Sequence, residues 1–203
     1  DAVVTLLIFE KLYPQVKGNP KIWRVYTDIL KPACRFLTDV QDAGVPFDRD
    51  RLGKAAVLMQ EDIDNAVAEL YKFEAVKTFE RIEQKEFNPN STVQLRKLLF
   101  DYAGLKPTGR KTGTGADTTD AEALKEIATK NDIPKHIISI RQKSKIKNTY
   151  LDKILPQLDK DDRLRTGFNI HSTTSGRLSS SGKMNMQQIP RDNPIVKGCI
   201  KAK

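Results

Sequence analysis

Cysteine and histidine are both scarce in this chain, with two of each in 203 residues. Cys34 and Cys199 lie far apart. That excludes the disulfide framework that staples small secreted domains, and reduced thiols in a cytoplasmic setting are expected. His136 and His171 do not combine with those cysteines at any spacing a zinc site uses. No apolar run approaches the ~20 residues of a membrane span, so no membrane partner is expected. No secretory leader is visible. The chain opens on Asp1, which reads as the middle of a longer protein. Internal repeats and long heptad arrays are missing too, which excludes solenoids and fibrous coiled coils.

Positive charge is what the chain has in excess. The net charge is +9 and the pI about 9.5, which points to a polyanion or an acidic membrane surface and says nothing about fold. With 38% hydrophobic, 30% charged and 7% aromatic residues, a helical, solvent-rich shape is favoured. The length admits one large domain or two small ones.

Apolar spacing supplies the elements. Residues 1–13 predict a helix that ends at Pro14, with Leu6, Leu7, Phe9 and Leu12 requiring a partner surface. Residues 20–43 carry a one-face stripe through Ile22, Val25, Ile29, Phe36, Leu37 and Val40. Pro32 predicts a kink or break within it, and Gly44 a stop. Residues 45–48 read as an extended link. From a cap at Asp48 or Asp50, near-heptad spacing predicts one helix to about residue 82, roughly 45–50 Å long. Such a helix needs a partner. Residues 134–158 supply one through Ile137, Ile138, Ile140, Ile146, Tyr150, Leu151 and Ile154, giving an antiparallel arm. At its tip Ser91 caps a helix over 92–102. Residues 104–118 read as a mobile basic loop. Thr119 caps a helix over 120–130, with Glu122 completing a capping box. Leu164, Thr166, Phe168 and Ile170 alternate as in a strand.

Two stretches carry candidate chemistry. Residues 170–190 read I-H-S-T-T-S-G-R-L-S-S-S-G-K-M-N-M-Q-Q-I-P. Arg177 leaves the strand on a Gly-containing turn among hydroxyls, and the amides of Asn185, Gln187 and Gln188 follow. That suits a ligand rich in acceptors, phosphate oxygens or base edges; the alternative is a Ser-rich hairpin loop with one solvated Arg. Arg141, Lys143, Lys145 and Lys147 fall within seven residues without an acid. On a helix Arg141 and Lys145 share one face, and Lys143 and Lys147 another. They either follow a phosphate backbone or form a solvated face. The Gly-rich segment 109–115 is not a phosphate loop, since G-x-x-x-x-G-K-[ST] and a preceding strand are both missing. Asp1 is placed to favour a helix dipole.

The run S-G-R-L-S-S followed by N-x-Q-Q-I-P resembles the T-G-R-L-S-S…N-L-Q-N-I-P signature of family A (polymerase-I-like) DNA polymerases. Ser175 stands for Thr, Gln188 for Asn, and the connection has one extra residue, as in a divergent branch such as a tailed phage's. F-N-x-x-S-T-x-Q-L, G-L-K-P and K-I-K-N-T-Y resemble that family's thumb, and D-A-V-V-T the segment closing its 3′–5′ exonuclease domain. The resemblance implies a mainly α fold: a long antiparallel helix pair with a small helical tip, and a few β-strands near the C-terminus. It implies an exonuclease tail over 1–18, a helix linking to the palm base over 19–47, the thumb over 48–158 and the beginning of the palm over 159–203.

The implied role is to hold duplex primer–template DNA during replication, through Arg141, Lys145, Lys147, Thr173, Thr174, Arg177, Ser179, Asn185, Gln187 and Gln188. Asp1 would match an exonuclease metal carboxylate. The catalytic motifs of the D-Y-S-x-x-E and H-D-E kind do not occur, and neither do the nucleotide-binding fingers. The chain stops shortly before the family's first catalytic Asp. A nucleotidyltransferase parent is therefore expected to use Mg2+ and dNTPs, while this fragment is expected to be inactive, metal-free and monomeric, in the cytoplasm of a bacterium or phage-infected cell. The competing expectation is a non-enzymatic basic helical module that binds nucleic acid or protein.

Overall fold

Proline and glycine placement shapes the first part of the chain. A computed structural model describes residues 1–182, 184–190 and 192–201. By contacts it divides into two compact units, Asp1–Asp48 with Gln157–Lys203, and Arg49–Pro156.

In the first unit, α1 (Ala2–Gly18) runs through Pro14 rather than ending there. Glu10, whose carbonyl Pro14 cannot serve, is exposed and can be hydrated. Leu6, Leu7, Phe9 and Leu12 are exposed. Asn19 caps α2 (Pro20–Arg24), its Oδ1 accepting from the Lys21 and Ile22 amides at 3.1 and 3.3 Å. A π-helical stretch, Val25–Leu30, leads into α3 (Lys31–Ala43), which has Pro32 in its first turn. The Lys31 N–H reaches back five residues to the Tyr26 carbonyl. The kink or break predicted at Pro32 takes the form of a widened turn, which accommodates a ring that has no N–H to give. Gly44 ends α3 at φ 56°, donating to the Val40 carbonyl at 3.1 Å. A Cβ there would stand 2.8 Å from Arg165 Cγ, so the position requires glycine.

The predicted link after Gly44 is a strand. β1 (Val45–Pro46) pairs antiparallel with β2 (Arg163–Leu164), Val45 opposite Leu164. The alternating run 164–170 is likewise two strands and not one. After β2 the chain turns at Arg165 and Thr166 into β3 (Gly167–Asn169), which pairs with β4 (Ser179–Ser181), Gly167 opposite Ser181 and Asn169 opposite Ser179.

In the second unit, α4 (Arg49–Leu70) stops twelve residues short of the predicted end. At 1.5 Å per residue its 22 residues span about 33 Å. Phe73 adopts an extended backbone and opens α5 (Glu74–Glu83). Its ring packs edge-on to His136, centroids 5.5 Å apart, and the bend brings Val76 and Phe79 into the core. α6 (Thr92–Arg96) begins at Ser91, whose Oγ accepts the Gln94 amide at 3.4 Å, and continues as a π-helical turn, Lys97–Tyr102. α7 (Ala121–Ile127) is capped by Asp120, whose Oδ1 accepts the Ala123 amide at 2.8 Å. Thr119, the predicted cap, is buried instead.

α8 (Ile133–Ile146) packs along α4. It is followed by a π-helical turn, Lys147–Leu151, then by α9 (Asp152–Ile154). His136 meets Phe73 while Lys143 meets Asp62, so the two helices run antiparallel as predicted. Leu70, Leu95, Leu98, Leu99, Leu124, Ile137 and Ile140 close the core of this unit. Each such buried side chain contributes about 1.5–3 kcal/mol. In the first unit, α10 (Pro194–Gly198) follows a cap by Asn193.

Candidate nucleic-acid interface

The Ser-Gly-Arg segment is the loop of the β3–β4 hairpin. Gly176 turns it at φ 71°, and its N–H donates to the Thr173 carbonyl at 3.3 Å. The Thr173 hydroxyl donates to the Arg177 carbonyl at 2.6 Å, closing the turn. On one flank Asn185 caps the short 3-10 turn Met186–Gln188, accepting the Gln187 amide at 2.9 Å. The Gln187 side chain donates from Nε2 to the Leu178 carbonyl at 3.2 Å and accepts the Ser180 hydroxyl at 3.2 Å. Buried Met184 and Thr166 anchor the base, the Thr166 hydroxyl lying 2.9 Å from the Ser181 carbonyl and 3.0 Å from that of Met184. Gly167 belongs to the same joint, because a Cβ there would collide with Ser181 Oγ.

Of the residues singled out in this stretch, Thr173, Asn185 and Gln187 therefore hold the loop together. Ser179 is half-buried on β4, and Thr174 and Gln188 are exposed. The Arg177 side chain is exposed, with no hydrogen bond or ion pair among the described residues. Thr166 and Gly167 escaped sequence reasoning. The one available signal was a Thr on the apolar side of an alternating run.

The basic run on α8 is free of acid in sequence but not in space. Lys143 Nζ lies 3.4 Å from the Asp62 carbonyl and 3.9 Å from its carboxylate, and Lys147 pairs with Asp152 at 2.8 Å. Arg141 turns inward, donating from Nε to the Pro89 carbonyl at 2.8 Å and from Nη1 to that of Thr119 at 3.1 Å. Burial pushes its pKa down, though a guanidinium stays charged. Lys145 alone of the four is exposed without an ion pair among the described residues. The predicted sharing of a face by Arg141 and Lys145 thus does not give them a common surface.

Within the loop expected after Gly104, residues 110–118 close on one another. Lys111 pairs with Asp117 at 2.7 Å, and the Thr112 amide donates to Ala116 at 2.8 Å. Arg110 pairs with Glu122 at 2.7 Å, so Glu122 serves this contact and not a capping box.

Asp1 is exposed at the N-cap of α1 and makes no side-chain capping bond. Among the described residues no group of three or more His, Cys, Asp or Glu is disposed to hold a metal ion. No helix among the described residues is long and apolar enough to cross a membrane.

Residues 57–202 match the family model described as DNA polymerase family A. The chain is 48% identical over 202 residues to the DNA polymerase of Escherichia phage T5, covering 100% of this chain and 24% of that protein. It is 31% identical over 196 residues to the thermostable DNA polymerase I of Thermus aquaticus, covering 96% of this chain and 22% of that protein. Among solved structures, the POL domain of Pol1 from M. smegmatis, in complex with DNA primer-template and dNTP, aligns with a TM-score of 0.70 at 28% identity. That alignment covers 87% of this chain and 29% of the other. The chain spans about a quarter of the length of the curated relatives it matches.

Proposed function

The chain belongs to DNA polymerase family A, and on that premise we propose that it is the duplex-holding part of a template-directed DNA polymerase. Residues 48–158 act as the thumb, 159–203 begin the palm, 1–18 are the tail of an exonuclease domain and 19–47 link to the palm base. Phosphoryl transfer and dNTP binding belong to parts of such an enzyme that carry metal carboxylates and fingers, so the 203-residue chain alone extends no primer. It acts as a monomer on primer–template DNA.

One observation carries this reading. Arg177 is an exposed guanidinium without a hydrogen-bond or ion-pair partner among the described residues, on a loop whose neighbouring polar groups are tied to one another. The minor groove offers purine N3 and pyrimidine O2 acceptors at similar places in every correct pair. A donor-only side chain can accept all four correct pairs there without reading sequence. A mispair displaces the acceptors and leaves donors unsatisfied, at a cost of about 1–3 kcal/mol. Lys145 adds a phosphate contact that is blind to sequence.

Titration of the chain with duplex DNA at several salt concentrations tests this. If three or four phosphates are neutralised, log K falls with log salt at a slope of roughly −3, equally for unrelated sequences. An affinity indifferent to salt, or selective for one sequence, contradicts it.

A further inference from the structure

Strand alternation assigns the position of Thr166 to an apolar residue. Leu164, two positions before it, is fully buried, and Thr166 itself is only 9% exposed. A valine has the same shape and would spare the cost of burying a hydroxyl, so the hydroxyl calls for a reason. Its one hydrogen is shared by two carbonyls, that of Ser181 at 2.9 Å and that of Met184 at 3.0 Å. Ser181 ends β4, and the chain turns back after it at Gly182, whose φ is 108°. Thr166 thus holds the chain on both sides of that turn.

The held turn leads back to Arg177. One residue after Met184, Asn185 Oδ1 accepts the Gln187 amide at 2.9 Å, and the Gln187 side chain donates to the Leu178 carbonyl at 3.2 Å. Leu178 follows Arg177, whose own carbonyl accepts from Thr173 at 2.6 Å. Thr166 also adjoins Gly167, which pairs with Ser181 across the hairpin. The buried hydroxyl therefore sits where both strands of the hairpin and the return turn meet, while the guanidinium is on the exposed loop. We infer that Thr166 is a positioning residue for Arg177: it touches no DNA, and it fixes from inside the direction in which the guanidinium meets the primer-terminal pair. The inference rests on the minor-groove reading of Arg177 given above. A threonine that served the fold alone would lower extension without regard to Arg177, so a double-mutant cycle separates the two roles.

The test is steady-state extension by a full-length polymerase carrying this segment, on matched and mispaired primer ends, for wild type, Thr166→Val, Arg177→Ala and the double variant. Thr166→Val is expected to lower kcat/KM on matched ends by roughly three- to tenfold, nearly equally for the four pairs and less for mispairs. Thr166→Ser, which returns the hydroxyl without the methyl, should recover most of the loss. In the Arg177→Ala background Thr166→Val should cost less than about twofold more, because the side chain it aims is gone. The melting temperature of the 203-residue chain should fall by the same amount in both backgrounds. Thr166→Cys, with a weak S–H donor, carries the same cycle if Thr166→Val fails to fold. An unchanged kcat/KM, an equal loss with and without Arg177, or no recovery with Ser would overturn the inference. If Arg177→Ala has by then cost tenfold, the minor-groove reading stands without it. If Arg177→Ala costs nothing, that reading fails and the inference falls with it.

Discussion

The hydroxyl of Thr173 donates to the carbonyl of Arg177 at 2.6 Å, four residues on. The bond sets the backbone from which the exposed guanidinium projects, without using the guanidinium itself. Thr173→Val keeps the shape and removes the donor, at about 0.5–1.5 kcal/mol. In a full-length polymerase carrying this segment, matched-terminus extension should fall by roughly two- to tenfold. The melting temperature of the 203-residue chain should fall by no more than about 2–6 °C, since Thr173 lies outside the buried core. Loss of fold would place Thr173 in the scaffold rather than in the positioning of Arg177.

Lys145 and Lys143 sit two residues apart and should behave differently. Lys145 is exposed without an ion pair among the described residues, whereas Lys143 faces Asp62. Lys145→Gln should reduce the salt slope of duplex binding by about one unit and weaken all sequences alike. Lys143→Gln should leave the slope nearly unchanged. Measuring both slopes on one duplex decides the matter, and equal effects would mean that the run acts as a diffuse charge.

The contrast between those two lysines marks what the sequence could and could not disclose. Apolar spacing showed that α4 and α8 pack together, because periodicity is a local property of the chain. It did not show the break at Phe73, which depends on a ring contact with His136 far along the chain. Caps were legible to within one position: Ser91 was right, and Asp120 takes the place expected of Thr119. Proline spacing predicts a helix end at Pro14 and a kink or break at Pro32; an exposed helix runs through the first, and a π-helical turn precedes the second. In the basic run, Arg141 looked like its neighbours. Its partners, Pro89 and Thr119, come from loops 52 and 22 residues away, and no spacing rule reaches that far. The Arg177 loop was legible because strand alternation and a glycine bracket it, while the internal use of Gln187 was not.

Acid should probe the clamp on β2. Arg165 bonds Asp161 through both terminal nitrogens, at 2.9 and 2.8 Å, and Asp159 at 2.6 Å. The hydrogen bond from Arg165 draws the Asp161 carboxyl down from 3.8 to about 2. A lowered folded-state pKa means that this stabilisation is fully present above about pH 4 and is lost as pH falls towards 2. Urea midpoints of wild type and Asp161→Asn should therefore differ at pH 6 and converge at pH 2. The contribution is small, because the pair is exposed. A gap that persists unchanged to pH 2 would show that the carboxylate's charge is not what matters.

The most direct measurement is steady-state extension by a full-length polymerase carrying this segment, with Arg177→Ala compared against wild type on all four matched primer termini and on mispaired ones. The account predicts a loss of tenfold or more, about 1.4 kcal/mol, nearly equal for the four matched pairs and smaller for mispairs. Arg177→Lys should recover only part of it, lacking the planar fork. The 203-residue chain should fold normally with either substitution. Unchanged extension from matched ends, a loss confined to one base pair, or unfolding of the chain on Arg177→Ala would contradict the account.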